Sequence, residues 1–246
     1  MATLRHLFSQ NVQPVLTATL SFLEIGDVLA LTPTCRALRG LPHELLSTNF
    51  DINRSLKKCF SRPKEFRSIQ TEHDAVIVKG FARNFFARRI TAERCVDIYV
   101  PDPHFPGPTL RKYLEEEGYY DHRWPQDDRD WFEMIDKNGR QWGIVIDWGM
   151  APETTVAGNI FRWAKTTACL HFITWNRAYA IFLYTTFIRS EFNLVYMSKR
   201  IDDYILDLYT EGIQIKSIHR RQAGIAGDCD TLTRRRRFRD KYTWKK

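Results

Sequence analysis

The sequence predicts an α+β protein, with a small helical segment first and then a mixed-sheet body flanked by helices. Three observations predict it. Val15, Leu16, Thr19, Leu20 and Leu23 fall on one face at helical spacing near the start. From residue 75 onward, short apolar runs alternate with amphipathic helical stretches. Asp136-Lys137-Asn138-Gly139 separates two strand-like runs, and Asn-Gly suits the positive φ values of a hairpin turn.

Three regions follow: a helical segment over 1–46, a helical connector over 47–72, and the body over 73–246. Gly26-Asp27 is expected to break the first helix, with Asp27 capping a second one through Val28 and Leu31. Thr32-Pro33 reads as the cap and first residue of a third helix, which Gly40 ends. In the connector, Asp51 starts a helix that reaches Phe60, and Pro63 starts another carrying Phe66 and Ile69.

In the body, residues 75–78 form an apolar run ending at Gly80 and read as a buried strand. Residues 81–89 suit a helix, 96–100 a second strand stopped by Pro101, and 110–118 an amphipathic helix. Residues 131–135 and 141–148 are the two arms of the hairpin. Residues 156–183 are expected to be mainly helical, and the most apolar stretch, 168–184, a core helix. His171, Asn176 and Arg177 argue against its crossing a membrane. A further helix is expected over 201–212. Over 238–244, Tyr242 and Trp244 alternate with Lys241 and Thr243, which fits a strand with one buried face.

The chain has 246 residues, of which 43% are hydrophobic and 13% aromatic, and that excludes disorder throughout. Its five cysteines, Cys35, Cys59, Cys95, Cys169 and Cys229, are odd in number, far apart and without a Cys-x-x-Cys pair. A disulfide framework and a structural zinc site are therefore not expected, and a reducing compartment is. Arg5, His6, Gln10, Asn11 and Gln13 interrupt the first apolar stretch, so no signal peptide is read there and the expected location is cytoplasmic or nuclear. No His-Glu-x-x-His, Walker A, Gly-x-Ser-x-Gly or Gly-x-Gly-x-x-Gly pattern occurs, and no cofactor or metal is expected from these patterns. Asp127, Asp128 and Asp130 lack the glycine and glutamate of a calcium loop and read as a solvated loop.

The net charge of +8 is local. Residues 234–246 hold eight Lys or Arg against the single acid Asp240, so +7 lies there and the remainder carries +1. Arg234, Arg235, Arg236, Arg237 and Arg239 stand among Phe238, Tyr242 and Trp244, a mixture that can stack on single-stranded nucleic acid.

Residues 13–41, QPVLTATLSFLEIGDVLALTPTCRALRGL, resemble the F-box, a three-helix module. The match lies in Leu16, Leu20, Phe22, Leu23, Asp27, Val28, Leu31, Cys35, Arg36 and Leu38. The Leu-Pro that usually opens the module is absent, with Asn11-Val12 in its place. The resemblance implies docking on a Skp-type adaptor of a ubiquitin ligase through exposed apolar anchors, namely Leu16, Leu20, Phe22, Leu23, Val28 and Leu31. The body would then hold a client protein.

A longer run of segments, among them HDAVIVKGFARNFFARR, CVDIYVP, LRKYLEEEGYY, HFITWNRAYAIF and RFRDKYTW, resembles fungal proteins with an F-box-like start and a nucleotidyltransferase-like core. That core implies a strand ending in Gly-Ser, a helix, a strand bearing Asp-x-Asp and a third Asp on a later strand. Three carboxylates would hold two divalent metals. Here Gly80 keeps the glycine, Phe81 replaces the serine and Cys95 stands at the first Asp. Asp97 remains of the pair, and Asp147 is the candidate third carboxylate, with Glu93 as a possible substitute. Phe81 is expected to crowd the cleft, and Arg177 to close it by pairing with Asp97. The resemblance thus implies an incomplete catalytic set and a protein that is not an enzyme.

Three functions stand at this point: a non-catalytic interaction module acting as a ligase adaptor, a nucleotide-binding or nucleotidyltransferase-like enzyme with an atypical metal site, and a nucleic-acid binder using the basic segment.

Overall fold

In the computed structural model of the protein, the described residues are 18, 23, 25–34, 50–88, 94–101, 108–122, 129–148, 160, 164–194, 214–218 and 244–245. Among them the helices are α1 (Ile25–Leu31), α2 (Ile52–Leu56), α3 (Pro63–Glu72), α4 (Lys79–Ala87) and α5 (Pro108–Glu116). The strands are β1 (Val76–Val78), β2 (Cys95–Val100), β3 (Tyr120–Asp121), β4 (Arg129–Ile135), β5 (Gln141–Trp148), β6 (His171–Ile173), β7 (Ala178–Ala180), β8 (Glu191–Leu194), β9 (Gln214–Ile218) and β10 (Trp244–Lys245).

Eight strands form one sheet in the order β10-β7-β6-β1-β2-β5-β4-β3, and β8 and β9 form a separate parallel pair. Within the large sheet β2 and β5 run parallel, and the other neighbours run antiparallel. The fold is therefore mixed α+β, as the order of predicted elements implies.

The pleat sends alternate residues to opposite faces. Ile77, Val96, Ile98, Val100, Ile144 and Ile146 face the main core, which they share with Phe50, Leu56, Phe60, Phe66 and Phe86 from the connector and α4. Val76, Val78 and Tyr99 face the other way and pack with Leu170, Phe172, Ile181 and Phe182. Both faces are covered.

The connector is built into the main core by local chemistry. Asp51 accepts the backbone N–H groups of Asn53 at 2.9 Å and Arg54 at 3.3 Å and so caps α2. This helix ends at Leu56, sooner than expected, because the chain turns there to bring Phe60 onto Phe66, with ring centroids 4.5 Å apart. The turn also leaves the Cys59 carbonyl to accept the Tyr119 hydroxyl at 2.9 Å. α3 starts on Pro63 and buries Phe66, Ile69 and Gln70, residues at helical spacing.

Two sequence expectations are corrected. Residues 167–183 are not mainly helical: a short 3-10 turn, Thr167–Cys169, leads into the β6–β7 hairpin, and a π-helical turn, Tyr184–Ile188, follows. His171, Phe172 and Ile173 are all buried, so the run shows no two-residue alternation to set it apart from a buried helix. Residues 174–177 form the hairpin turn, where the Thr174 N–H donates to the Arg177 carbonyl at 2.8 Å. The Arg67 guanidinium holds the turn by donating to the carbonyls of Thr174 and Trp175.

Gly26-Asp27 does not break a helix either, since both residues lie within α1. The glycine is needed for close approach. A Cβ at Gly26 would stand 2.7 Å from the backbone oxygen of Phe187 in the π-helical turn. The hairpin arms follow the sequence reading, and of the strand expected over 238–244 only Trp244 lies within the described residues, in β10. Gly139 takes φ +71 in the turn, and Trp244 pairs with Ala180.

Candidate functional site: a lysine between two carboxylates

Asp97 lies in the middle of β2, opposite Val78 on one side and Val145 on the other. Asp147 lies near the end of β5, opposite Tyr99. The register puts the two carboxylates on one face of the sheet, two residues apart along neighbouring parallel strands. Between β1 and α4 the chain turns at Lys79, whose φ of +56 is left-handed.

This turn delivers the lysine to both acids. Lys79 Nζ donates to Asp97 Oδ1 at 2.7 Å and to Asp147 Oδ2 at 2.9 Å. The Lys79 side chain is 39% exposed, Asp97 12% and Asp147 27%. Burial by itself would lower the lysine pKa. The charges of Asp97 and Asp147, and the hydrogen bonds to them, outweigh it and hold the ammonium above the usual lysine range. One ammonium thus bridges two carboxylates carried on neighbouring strands.

The other expected cleft residues divide. Gly80 is buried at the start of α4, next to the centre. Phe81 is partly buried and packs against the main core. Cys95 shares the Asp97 face but sits opposite Gly143, its Sγ 3.6 Å from the point a Cβ there would occupy, beside the Trp131 ring. Arg177 is exposed in the β6–β7 turn, and the expected Asp97–Arg177 pair is replaced by Asp97–Lys79. Glu93 lies outside the described residues.

Lys79 is the residue that sequence reasoning missed. Its signal was a single cation at the seam between an apolar run and a helix, directly before the glycine that attracted the comparison. Arg177 lies in the β6–β7 turn and not in the helix expected over 168–184.

The apolar anchors of the N-terminal segment also divide. Val28 is fully buried in the main core, and Leu23 packs against that core. The Arg88 guanidinium holds the Leu23 carbonyl. Neither residue is presented as a docking anchor, because α1 uses that face to cover the body. Leu31 is half-buried, and Leu16, Leu20 and Phe22 lie outside the described residues. So do Arg234, Arg235, Arg236, Arg237 and Arg239.

Among the described residues, two carboxylates stand where a two-metal centre would need several. Among the described residues no group of three or more His, Cys, Asp or Glu side chains is placed to hold a metal. The acid pair that is present already shares a cation from the chain. Among the same residues no helix is long and apolar enough to cross a membrane.

No protein-family pattern matches the chain, and no curated protein matches it. Solved structures do. One is described as a tRNA-processing enzyme in apo form I, with 14% identity and a TM-score of 0.42, covering 63% of this chain and 43% of that one. Another is a CCA-adding enzyme in apo form I, with 17% identity and a TM-score of 0.43, covering 68% of this chain and 42% of that one. The chain spans less than half the length of either.

Proposed function

We propose that this protein is a nucleotidyltransferase-like binding module that does not carry out nucleotidyl transfer. The observation that carries the reading is Lys79 Nζ lying 2.7 Å from Asp97 and 2.9 Å from Asp147. The strand, glycine turn, helix and acid-bearing strand follow in the order the sequence resemblance implies, with Asp147 on the neighbouring parallel strand. In-line transfer on such a layout draws its charge stabilisation from divalent ions held by several carboxylates. Here two carboxylates are engaged by a lysine from their own chain.

The test is a transfer assay with each nucleoside triphosphate, a short RNA primer and Mg2+ or Mn2+, run on the wild type and on Asp97→Asn. The expected result is no incorporation by either protein. Metal-dependent incorporation that Asp97→Asn abolishes would overturn the reading.

An adaptor role through residues 13–41 gains no support from the described anchors, because Val28 is buried in the body. A Skp-type partner would have to be met by Leu16, Leu20 and Phe22 together with Leu31. Co-purification of such a partner, lost on Leu20→Asp, would restore that role.

A further inference from the structure

The turn between β6 and β7 is fixed without the residues that usually make a turn. Thr174-Trp175-Asn176-Arg177 holds no glycine or proline. Its shape comes from hydrogen bonds instead. The Thr174 hydroxyl donates to the Arg177 carbonyl at 3.0 Å and accepts the Arg177 backbone N–H at 3.2 Å. From α3, the Arg67 guanidinium donates to the Thr174 carbonyl at 2.7 Å, to the Trp175 carbonyl, and to Gln70 Oε1 at 2.9 Å. Gln70 is fully buried, and burial lowers the Arg67 pKa to about 10. A cation is thus drawn partly out of water to hold a surface turn in one shape.

That turn presents an aromatic plane and hydrogen-bond donors. Trp175 is 44% exposed, and Asn176 and Arg177 are exposed beside it. A lone exposed aromatic is ordinary on a protein surface. One on a pinned turn, with a cation two residues away, is preorganised for contact. Residues 154–190 contain no Asp or Glu and hold Arg162, Lys165, Arg177 and Arg189. β10 runs antiparallel to β7 and toward the turn, with Trp244 opposite Ala180 and Lys245 opposite Tyr179. A further cation therefore enters the register two positions from Arg177.

An indole face among cations, with no acid in the same stretch, suits an anionic partner that carries flat rings. Unpaired bases stack on aromatic side chains while their phosphates meet cations. A duplex keeps its bases stacked on one another and offers Trp175 no ring face. An acidic peptide would meet the cations and leave the indole without a role. We infer that the β6–β7 turn is a contact site for single-stranded nucleic acid, in which Trp175 stacks on an unpaired base and Arg177 meets a neighbouring phosphate. This site shares no residue with the Lys79 centre, and it stands whether or not the protein transfers nucleotides.

The experiment is fluorescence anisotropy of a labelled oligouridylate of about 12 nucleotides, long enough for one site, titrated with the full chain. It compares the wild type, Trp175→Ala, Trp175→Phe and Arg177→Gln, each checked by its melting curve. The wild type is expected to bind at about 0.1 M salt and to weaken as salt rises. Trp175→Ala is expected to bind about tenfold more weakly, and Trp175→Phe, which keeps a ring, to stay within about threefold of the wild type. Arg177→Gln should lower the slope of log affinity against log salt by about 0.7, the share of one single-strand phosphate. Should Trp175→Ala melt early, the Phe variant and the Arg177→Gln slope decide, since the Arg177 side chain is exposed. A wild type that does not bind overturns the inference. So does Trp175→Ala binding as well as the wild type, which would leave the strand to the basic residues 234–246 alone. Competition by duplex RNA or by polyglutamate as strong as that by unlabelled single strand overturns it too, the second pointing to an acidic protein partner. No triphosphate or metal is present, so this result and the transfer assay fail separately.

Discussion

Gly26 lies against the backbone oxygen of Phe187 so closely that a Cβ would stand 2.7 Å away. That oxygen belongs to main chain and cannot swing aside as a flexible side chain can. Gly26→Ala should therefore push α1 off the π-helical turn and destabilise the protein by about 1–3 kcal/mol, the range of an overpacked core site. Ala30→Ser, on the exposed side of α1, should stay within about 0.5 kcal/mol of the wild type. Urea unfolding of the two variants measures the difference. A neutral Gly26→Ala would mean that α1 is not seated on the body.

Glu117 ties the connector to α5. Its carboxylate accepts the Ser61 backbone N–H, the Ser61 hydroxyl at 2.9 Å, the Arg62 backbone N–H at 3.2 Å and Arg62 Nε at 3.0 Å. Burial would raise its pKa, and those hydrogen bonds outweigh burial and hold it below the usual glutamate range. Glu117→Ala leaves the donors without their acceptor and should cost about 1–3 kcal/mol at neutral pH. A group depressed in this way stabilises above its unfolded pKa and loses that stabilisation as pH falls through the folded value. The gap between wild type and Glu117→Ala should therefore narrow in acid, below the ordinary glutamate value near 4.5.

His171 should make the fold acid-sensitive. It is fully buried between Phe86 and Phe187, at centroid distances of 6.0 and 4.9 Å. Among the described residues neither of its ring nitrogens has a hydrogen-bond partner. Burial first, and then the Arg83 charge, pull its pKa from 6.5 down to about 3. Between those values the unfolded chain binds a proton that the folded chain does not, so stability rises with pH across that window. His171→Phe should flatten the dependence there while leaving the neutral-pH fold intact, as chemical denaturation at stepped pH would record. An unchanged acid slope would mean that other groups govern it.

Lys79 should show itself at the other end of the scale. Its pKa is raised in the folded protein, so its stabilisation is complete below the ordinary lysine value of 10.5 and is lost as pH rises through the higher folded value. The stability difference between wild type and Lys79→Met should hold constant through neutral pH and shrink only in strong alkali. A difference that vanished near neutrality would place the ammonium elsewhere.

Much of the sheet was legible because its strands end on unambiguous punctuation. Gly80 and Pro101 close the first two, and Asn138-Gly139 turns the hairpin. The β6–β7 hairpin was not legible: strands of three residues are too short to show an alternation, and Thr174-Trp175-Asn176-Arg177 contains neither glycine nor proline to announce a turn. The expected place of Arg177 beside Asp97 depends on a helix there, and the hairpin removes it. The carboxylates were named through the resemblance, which implies an acid on each of those two strands, Asp97 and Asp147. The cation was missed because its place depends on a left-handed residue at the strand end, and a lysine gives no local sign of adopting one.

Among the described residues the large sheet is edged by Tyr120–Asp121 on one side and Trp244–Lys245 on the other. A bare edge is a template on which another copy of the chain can add its own strand, and a covering strand removes that hazard. β10 shields β7, whose Ala178 and Ala180 are small and buried. Shortening the chain before Trp244 would leave the lysine centre untouched, yet it would bare the backbone edge of β7 to self-association. The last strand would then matter less for activity than for keeping neighbouring molecules apart.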